Sequence, residues 1–180
     1  MARLWVALLV ASVACASGPR GLGAEAERLR RALERALAEA PPPDPSELLV
    51  HLAFGPGADL DLYVTDALQE TVYFANTPSG SGGRLLEDLH CGSPGGTDRV
   101  ETVRFAAPPA GRYRVSVDHP RSCGRGREAG FAVAAQHGGA VRFQTGSVAQ
   151  RVFLPIVLEL DVQDPRAKDA AAAHRYRLPD

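Results

Sequence analysis

From residue 46 to residue 162 the chain is a succession of short apolar or alternating segments separated by glycine, proline, asparagine and aspartate. Segments of this kind, bounded by turn residues, are typical of antiparallel strands. The predicted strands are residues 47–54, 60–65, 71–75, 100–105, 112–118, 130–136, 140–145 and 154–162. The sequence therefore predicts an all-β fold, an antiparallel β-sandwich of jelly-roll or immunoglobulin-like type with about eight strands.

Two segments make the strand pattern specific. HGGA at residues 137–140 places two glycines between alternating segments, which predicts a two-residue hairpin turn. In PPAGRYRVSV, Tyr113, Val115 and Val117 alternate with polar side chains. Successive side chains of a strand point to opposite faces, so this segment predicts one face in the core and one face outside.

The first residues resemble a targeting segment. Arg3 precedes the apolar stretch 4–14, which has the length of a signal-peptide core and is too short to span a bilayer. Cleavage after residue 16 would follow the small-x-small rule. Alternatively, SVAC resembles a lipobox, in which Cys15 becomes the lipidated first residue. Both readings predict an exported protein, located in the periplasm or as an outer-membrane lipoprotein.

Residues 17–45 form the predicted connection to the sandwich. Residues 17–23 are a spacer, residues 24–40 have a helical pattern, and the three prolines at 41–43 end the helix. The helix is either a dimerising or docking helix, or a solvated stalk that packs loosely on its own domain. The tail, residues 163–180, is polar or alanine-rich and is assigned no fixed structure.

The cysteine count agrees with export. Cys15 is removed or lipidated, which leaves Cys91 and Cys123 as an even pair. Disulfides form and persist in oxidising compartments. We therefore predict a Cys91–Cys123 disulfide rather than a zinc site with His90 and His119.

Asp59 and Asp61 are unusual because aspartate is depleted in strands and these two share one face. Three arrangements would relieve their repulsion: exposure to water, a bridging arginine, or a hard cation such as Ca²⁺, which takes oxygen ligands. Loops could bring further oxygen donors to such an ion. The candidate Ca²⁺ ligands are Asp59, Asp61, Asn76, Asp88 and Glu101.

A resemblance to known exported domains rests on ADLDLYVTD, VYFANTPSGSGGRL, Asp88 and PPAGRYRVSV. These segments resemble the YfaP-like family of exported bacterial domains of unknown function. DLDLYV is also similar to the opening of pre-peptidase C-terminal modules, exported β-sandwiches of which some bind calcium. Both resemblances imply an accessory or binding β-sandwich and neither implies an enzyme.

Other functional classes are disfavoured or secondary. A net charge of −1 offers no broad basic surface for nucleic acid. Arg121, Arg125 and Arg127 share one predicted loop, which is either an anion-binding or partner-contact loop or a solvated hairpin tip.

The sequence therefore predicts a non-catalytic, exported module that binds an envelope protein or glycan, with Ca²⁺ as its candidate cofactor. It predicts contact with a membrane only through a lipid anchor. The alternative is a periplasmic hydrolase that uses His90, His119 and the acidic residues.

Overall fold

A computed structural model describes residues 19–94, 97–124 and 126–163. Within them one helix precedes nine strands. The elements are α1 (Pro19–Glu39), β1 (Leu48–Phe54), β2 (Ala58–Thr65), β3 (Thr71–Val72), β4 (Gly83–Leu85), β5 (Arg99–Phe105), β6 (Gly111–Ser122), β7 (Glu128–His137), β8 (Ala140–Ala149) and β9 (Phe153–Val162). The predicted signal segment, with Cys15, and the tail from residue 164 lie outside the described residues.

The strands form two antiparallel sheets. The five-stranded sheet has the order β4-β5-β1-β7-β8, and the four-stranded sheet has the order β3-β2-β6-β9. Consecutive strands are therefore often in different sheets, which is why β1 and β2 face each other across the core. The predicted all-β sandwich is confirmed.

The sandwich interior is filled by the apolar residues that the alternation predicts. Leu60, Leu62 and Val64 of β2 are buried, and so are Val115 and Val117 of β6. The inner faces of both sheets contribute to a single core cluster. Burial of this apolar surface is the main favourable contribution to folding.

Several strands differ from the predicted ones, and β8, for example, continues to Ala149. β6 continues to Ser122 because it pairs with β2 as far as Ala58. Gly83–Leu85 forms an additional short strand against β5, which a sequence rich in glycine did not indicate. The predicted strand at 71–75 is reduced to Thr71–Val72.

The hairpin predicted at HGGA joins β7 to β8. His137 pairs with Ala140, and Gly138 and Gly139 have φ angles of 60° and 77°. Positive φ at both central residues is what a tight type I′ turn requires, and glycine adopts it without a steric cost.

Helix α1 packs on the outer face of the five-stranded sheet. It begins at Pro19, earlier than predicted, and proline is well tolerated in the first turn of a helix. Leu29 and Leu33 are buried against the alanines of β1 and β7: Ala53, Ala132 and Ala134. The helix is therefore a layer of this fold and does not stand away from it.

Gly130 of β7 permits the close approach of α1. A Cβ at this position would lie 2.9 Å from the carbonyl oxygen of Leu22 and 3.0 Å from the amide nitrogen of Ala26. The Gly130 amide also donates a hydrogen bond of 3.1 Å to Glu25 Oε2. Within the described part of the chain, α1 is not apolar enough over a sufficient length to cross a membrane.

Candidate metal centre

Glu101 connects the two sheets at one side of the sandwich. It extends from β5 and is only 1% exposed. Its Oε2 accepts a hydrogen bond of 2.9 Å from the Leu62 amide of β2, and its Oε1 accepts one of 3.0 Å from the Leu89 amide. One carboxylate thus joins β5, β2 and the loop that follows β4.

Asp61 and Asp88 meet Glu101 at this position. The three side chains each offer a carboxylate oxygen, and these oxygens lie within 4.8 Å of one another. Asp61 is 9% exposed, whereas Asp88 lies on the exposed loop. We call Asp61, Asp88 and Glu101 the acidic centre. Among the ion pairs of the described residues, none includes a member of the acidic centre.

Burial and mutual repulsion make ionisation of the acidic centre costly. Burial, followed by the charges of Asp59, Asp88 and Asp118, raises the pKa of Asp61 to about 7. Burial also raises the pKa of Glu101 to about 8, although its two backbone hydrogen bonds act in the opposite direction. A bound cation would offset both the burial of the charges and their mutual repulsion, because it favours the ionised carboxylates.

Asp118 adds a carboxylate that the sequence analysis did not single out. It lies on β6 directly opposite Asp61 in the antiparallel ladder. Like charges in this arrangement are destabilising unless a cation lies nearby. The alternation of PPAGRYRVSVD already places Asp118 on the same face as Ser116 and Arg114, which is the face away from the core.

Asp59 has a separate environment from Asp61. Its Oδ2 accepts hydrogen bonds from Arg121 Nη2 at 3.0 Å and Nε at 3.3 Å. The β2–β6 pairing shifts between Asp59 and Asp61, and a bulge of this kind redirects side chains. The arginine that the sequence left open as a bridge between the two aspartates therefore pairs with Asp59 alone.

Two further expectations about these side chains need correction. Asp59 and Asp61 do not lie on an open outer surface, because they are only 5% and 9% exposed. Asn76 is not in the acidic centre: its Nδ2 donates to the Thr71 carbonyl oxygen at 2.8 Å and to Glu70 Oε1 at 3.3 Å. The structure brings together three of the candidate ligands: Asp61, Asp88 and Glu101.

The predicted disulfide is present. Cys91 and Cys123 are joined, with their Cα atoms 5.3 Å apart. Cys91 follows Asp88 in the loop between β4 and β5, and Cys123 follows the end of β6. The disulfide therefore links the loop of the acidic centre to the four-stranded sheet.

Two arginines of the candidate binding loop, Arg121 and Arg127, lie within the described residues. Arg121 pairs with Asp59, and Arg127 is exposed. Arg125 lies outside the described residues. The charge of Arg121 is therefore already offset within the fold, which weakens the anion-binding alternative for this loop.

The histidines of the hydrolase alternative lie in different environments. His119 is buried, and its Nδ1 lies 3.1 Å from the Val148 carbonyl oxygen. His90 is exposed, and its amide donates to Ser93 Oγ at 3.0 Å. A cleft of about 870 Å³ lies elsewhere, with a lining that includes Pro45, Ala107, Ala135, Arg142, Leu160 and Val162.

Comparison with known proteins adds no assignment. No protein-family model, curated protein or solved structure matches this chain.

Proposed function

We propose that this protein is an exported, non-catalytic β-sandwich of the bacterial cell envelope that binds a partner and is stabilised by Ca²⁺ at the acidic centre. The observation that carries the proposal is the meeting of Asp61, Asp88 and Glu101, with no cationic side chain paired to them among the described residues. Three carboxylates held together in this way require either protons or a cation.

The coordination geometry that each ion demands favours Ca²⁺ over Mg²⁺. Ca²⁺ binds oxygens at about 2.3–2.6 Å in flexible geometry, whereas Mg²⁺ demands a compact octahedron at about 2.0–2.1 Å. Carboxylate oxygens from two strands and an exposed loop, all within 4.8 Å of one another, suit an ion that accepts a flexible geometry. The exposed Asp88 leaves room for water molecules to complete the coordination.

Two observations support an exported location. The Cys91–Cys123 disulfide is typical of oxidising compartments. The N-terminal residues 1–16 have the pattern of a signal segment, with cleavage after residue 16 or lipidation of Cys15. The resemblance to YfaP-like domains points in the same direction, and an envelope protein or glycan is the corresponding partner class.

Thermal melting tests the cation proposal directly. We expect millimolar Ca²⁺ to raise the melting temperature of the full chain by about 5 °C or more relative to EDTA, because an ion that binds only the folded state stabilises it. Mg²⁺ at the same concentration should raise it less. Differential scanning calorimetry in each buffer measures both shifts.

The neighbouring aspartates provide a matched pair of variants. Asp61→Asn should abolish the Ca²⁺-dependent shift, whereas Asp59→Asn should retain it because Asp59 pairs with Arg121. Both substitutions remove one carboxylate from the same strand. A wild-type protein that melts at the same temperature in Ca²⁺ and EDTA, or equal shifts in wild type and Asp61→Asn, would contradict the proposal.

A further inference from the structure

The outer face of the four-stranded sheet carries a row of aromatic side chains: Phe74, Tyr73, Tyr63 and Phe153. We call these four residues the aromatic row. The rings of Tyr63 and Tyr73 are stacked, with their centroids 4.9 Å apart. Phe153 contacts Tyr63 edge-on at 5.4 Å, and Phe74 contacts Tyr73 edge-on at 5.3 Å.

Both ends of the aromatic row are accessible. Phe74 is 48% exposed and Phe153 is 47% exposed. Helix α1 packs on the other sheet, through its contacts with β1, β7 and β8. A contiguous exposed aromatic surface on a small domain commonly marks a contact site for a partner.

The aromatic row lies beside carboxylates. Asp61 is two residues before Tyr63 on β2, and Asp118 pairs with both Asp61 and Phe153 across the ladder. Asp118 therefore lies next to Asp61 on one neighbouring strand and next to Phe153 on the other.

The carboxylates beside the aromatic row exceed the charge of one calcium ion. Asp118, like the acidic centre, has no ion-pair partner among the described residues. Four carboxylates with one bound Ca²⁺ retain a net charge of about −2 when all are ionised. The local excess of negative charge next to aromatic rings indicates a cationic partner.

We propose that this face binds a basic peptide segment of an envelope protein, with an arginine or lysine side chain placed against Phe153 and Tyr63. This inference rests on the proposed role as a binding module and names the partner class. The ring faces attract the cation, and the aliphatic stem of the side chain covers apolar surface. Asp118 supplies the complementary charge that orients the segment.

Calorimetric titration with matched peptides tests the inference. The probe is a short blocked peptide with two arginines flanking a leucine, and its control carries citrulline, a neutral isostere, at both arginine positions. We expect the arginine peptide to bind the full chain at least about tenfold more tightly than the citrulline peptide, because only arginine offers charge to the carboxylates and rings. The difference in affinity between the two peptides should shrink as the salt concentration is raised.

Variants on the same sheet locate the site. Phe153→Ala and Asp118→Asn should each weaken binding of the arginine peptide by about tenfold. Ile156→Ala serves as the control because Ile156 is exposed on the same strand but lies outside the aromatic row. Phe153 is itself half exposed, so its truncation should leave the melting temperature nearly unchanged.

The two proposals fail in distinguishable ways. Phe153→Ala should keep the Ca²⁺-dependent melting shift, since Phe153 carries no carboxylate and is not a member of the acidic centre. Equal affinity for the two peptides, or unchanged affinity in Phe153→Ala, would overturn the inference whatever the calcium result. Binding of a neutral oligosaccharide that Phe153→Ala abolishes, without peptide binding, would assign the face to a glycan and overturn it as well.

Discussion

In EDTA, the free energy of unfolding should fall as the pH rises from about 6.5 to 8.5. The pKa of Asp61 is raised to about 7 and that of Glu101 to about 8, whereas unfolded carboxyls lose their protons near pH 4. In this window the folded state holds more protons than the unfolded state. Stability then decreases with rising pH, by about 1.4 kcal/mol per pH unit for each proton, until the folded carboxyls have ionised.

The pH range from about 6.5 to 8.5 lies above the titration of His51. Burial lowers the pKa of His51. Its titration makes the fold more stable as the pH rises, the opposite of the two carboxyls, and this effect is confined to pH values below about 6.5. Urea denaturation at half-unit steps of pH measures the slope. Saturating Ca²⁺ should remove the fall because the ion replaces the protons.

Glu101→Gln provides the variant for this experiment and Glu87→Gln its control. Glu101→Gln should reduce the slope in EDTA, since one buried titrating group is lost. Leu62 and Leu89 donate to different oxygens of Glu101, and the amide oxygen can accept only one of these bonds, so the variant should also be less stable at every pH. Glu87 is exposed and lies outside the acidic centre, so Glu87→Gln should keep the wild-type slope. A wild-type profile that is flat in EDTA would contradict the raised pKa values.

Removal of the disulfide should weaken both the fold and the calcium site. Cys91 and Cys123 are separated by 32 positions, and closing a loop of this size contributes about 3–4 kcal/mol in the chain-entropy account. The double variant Cys91→Ser/Cys123→Ser should therefore unfold at a clearly lower urea concentration. Wild-type protein in dithiothreitol should match it.

The expected effect on the affinity for calcium follows from the position of Asp88. The disulfide holds the loop that carries Asp88 against the end of β6, and β6 pairs with the strand that carries Asp61. Without this link the loop must be ordered when the ion binds, which should raise the Kd for Ca²⁺ by about twofold to tenfold. Titration calorimetry below the melting temperature separates affinity from stability. An unchanged Kd would show that the hydrogen bond from Leu89 to Glu101 positions the loop by itself.

Most of the fold was predictable because its determinants are local. The alternation in β2 and β6 placed Leu60, Leu62, Val115 and Val117 in the core, and the two glycines after His137 marked the hairpin. The position of α1 was not predictable, since the complementary groove depends on alanines from β1 and β7 that are distant in sequence.

The candidate site was predictable only in part. Asp61, Asp88 and Glu101 were among the candidate ligands, but the sequence grouped them with Asp59 and Asn76. The register shift that places Arg121 opposite Asp59 but Asp118 opposite Asp61 leaves no clear mark in the residues around it. The aromatic row was missed because Phe153 follows Tyr63 by nearly a hundred positions, and strand β6 lies between them in the sheet.

The sequence by itself determined the disulfide pair, the core-facing side of the strands and the presence of carboxylates unusual for a strand. These properties depend on composition and on spacings of a few residues. The tertiary structure decided which carboxylates meet, which one is offset by arginine, and which aromatic rings share a surface. Such contacts depend on strand order, on register shifts and on the packing of two sheets, and each of these is set by interactions between segments far apart in the chain.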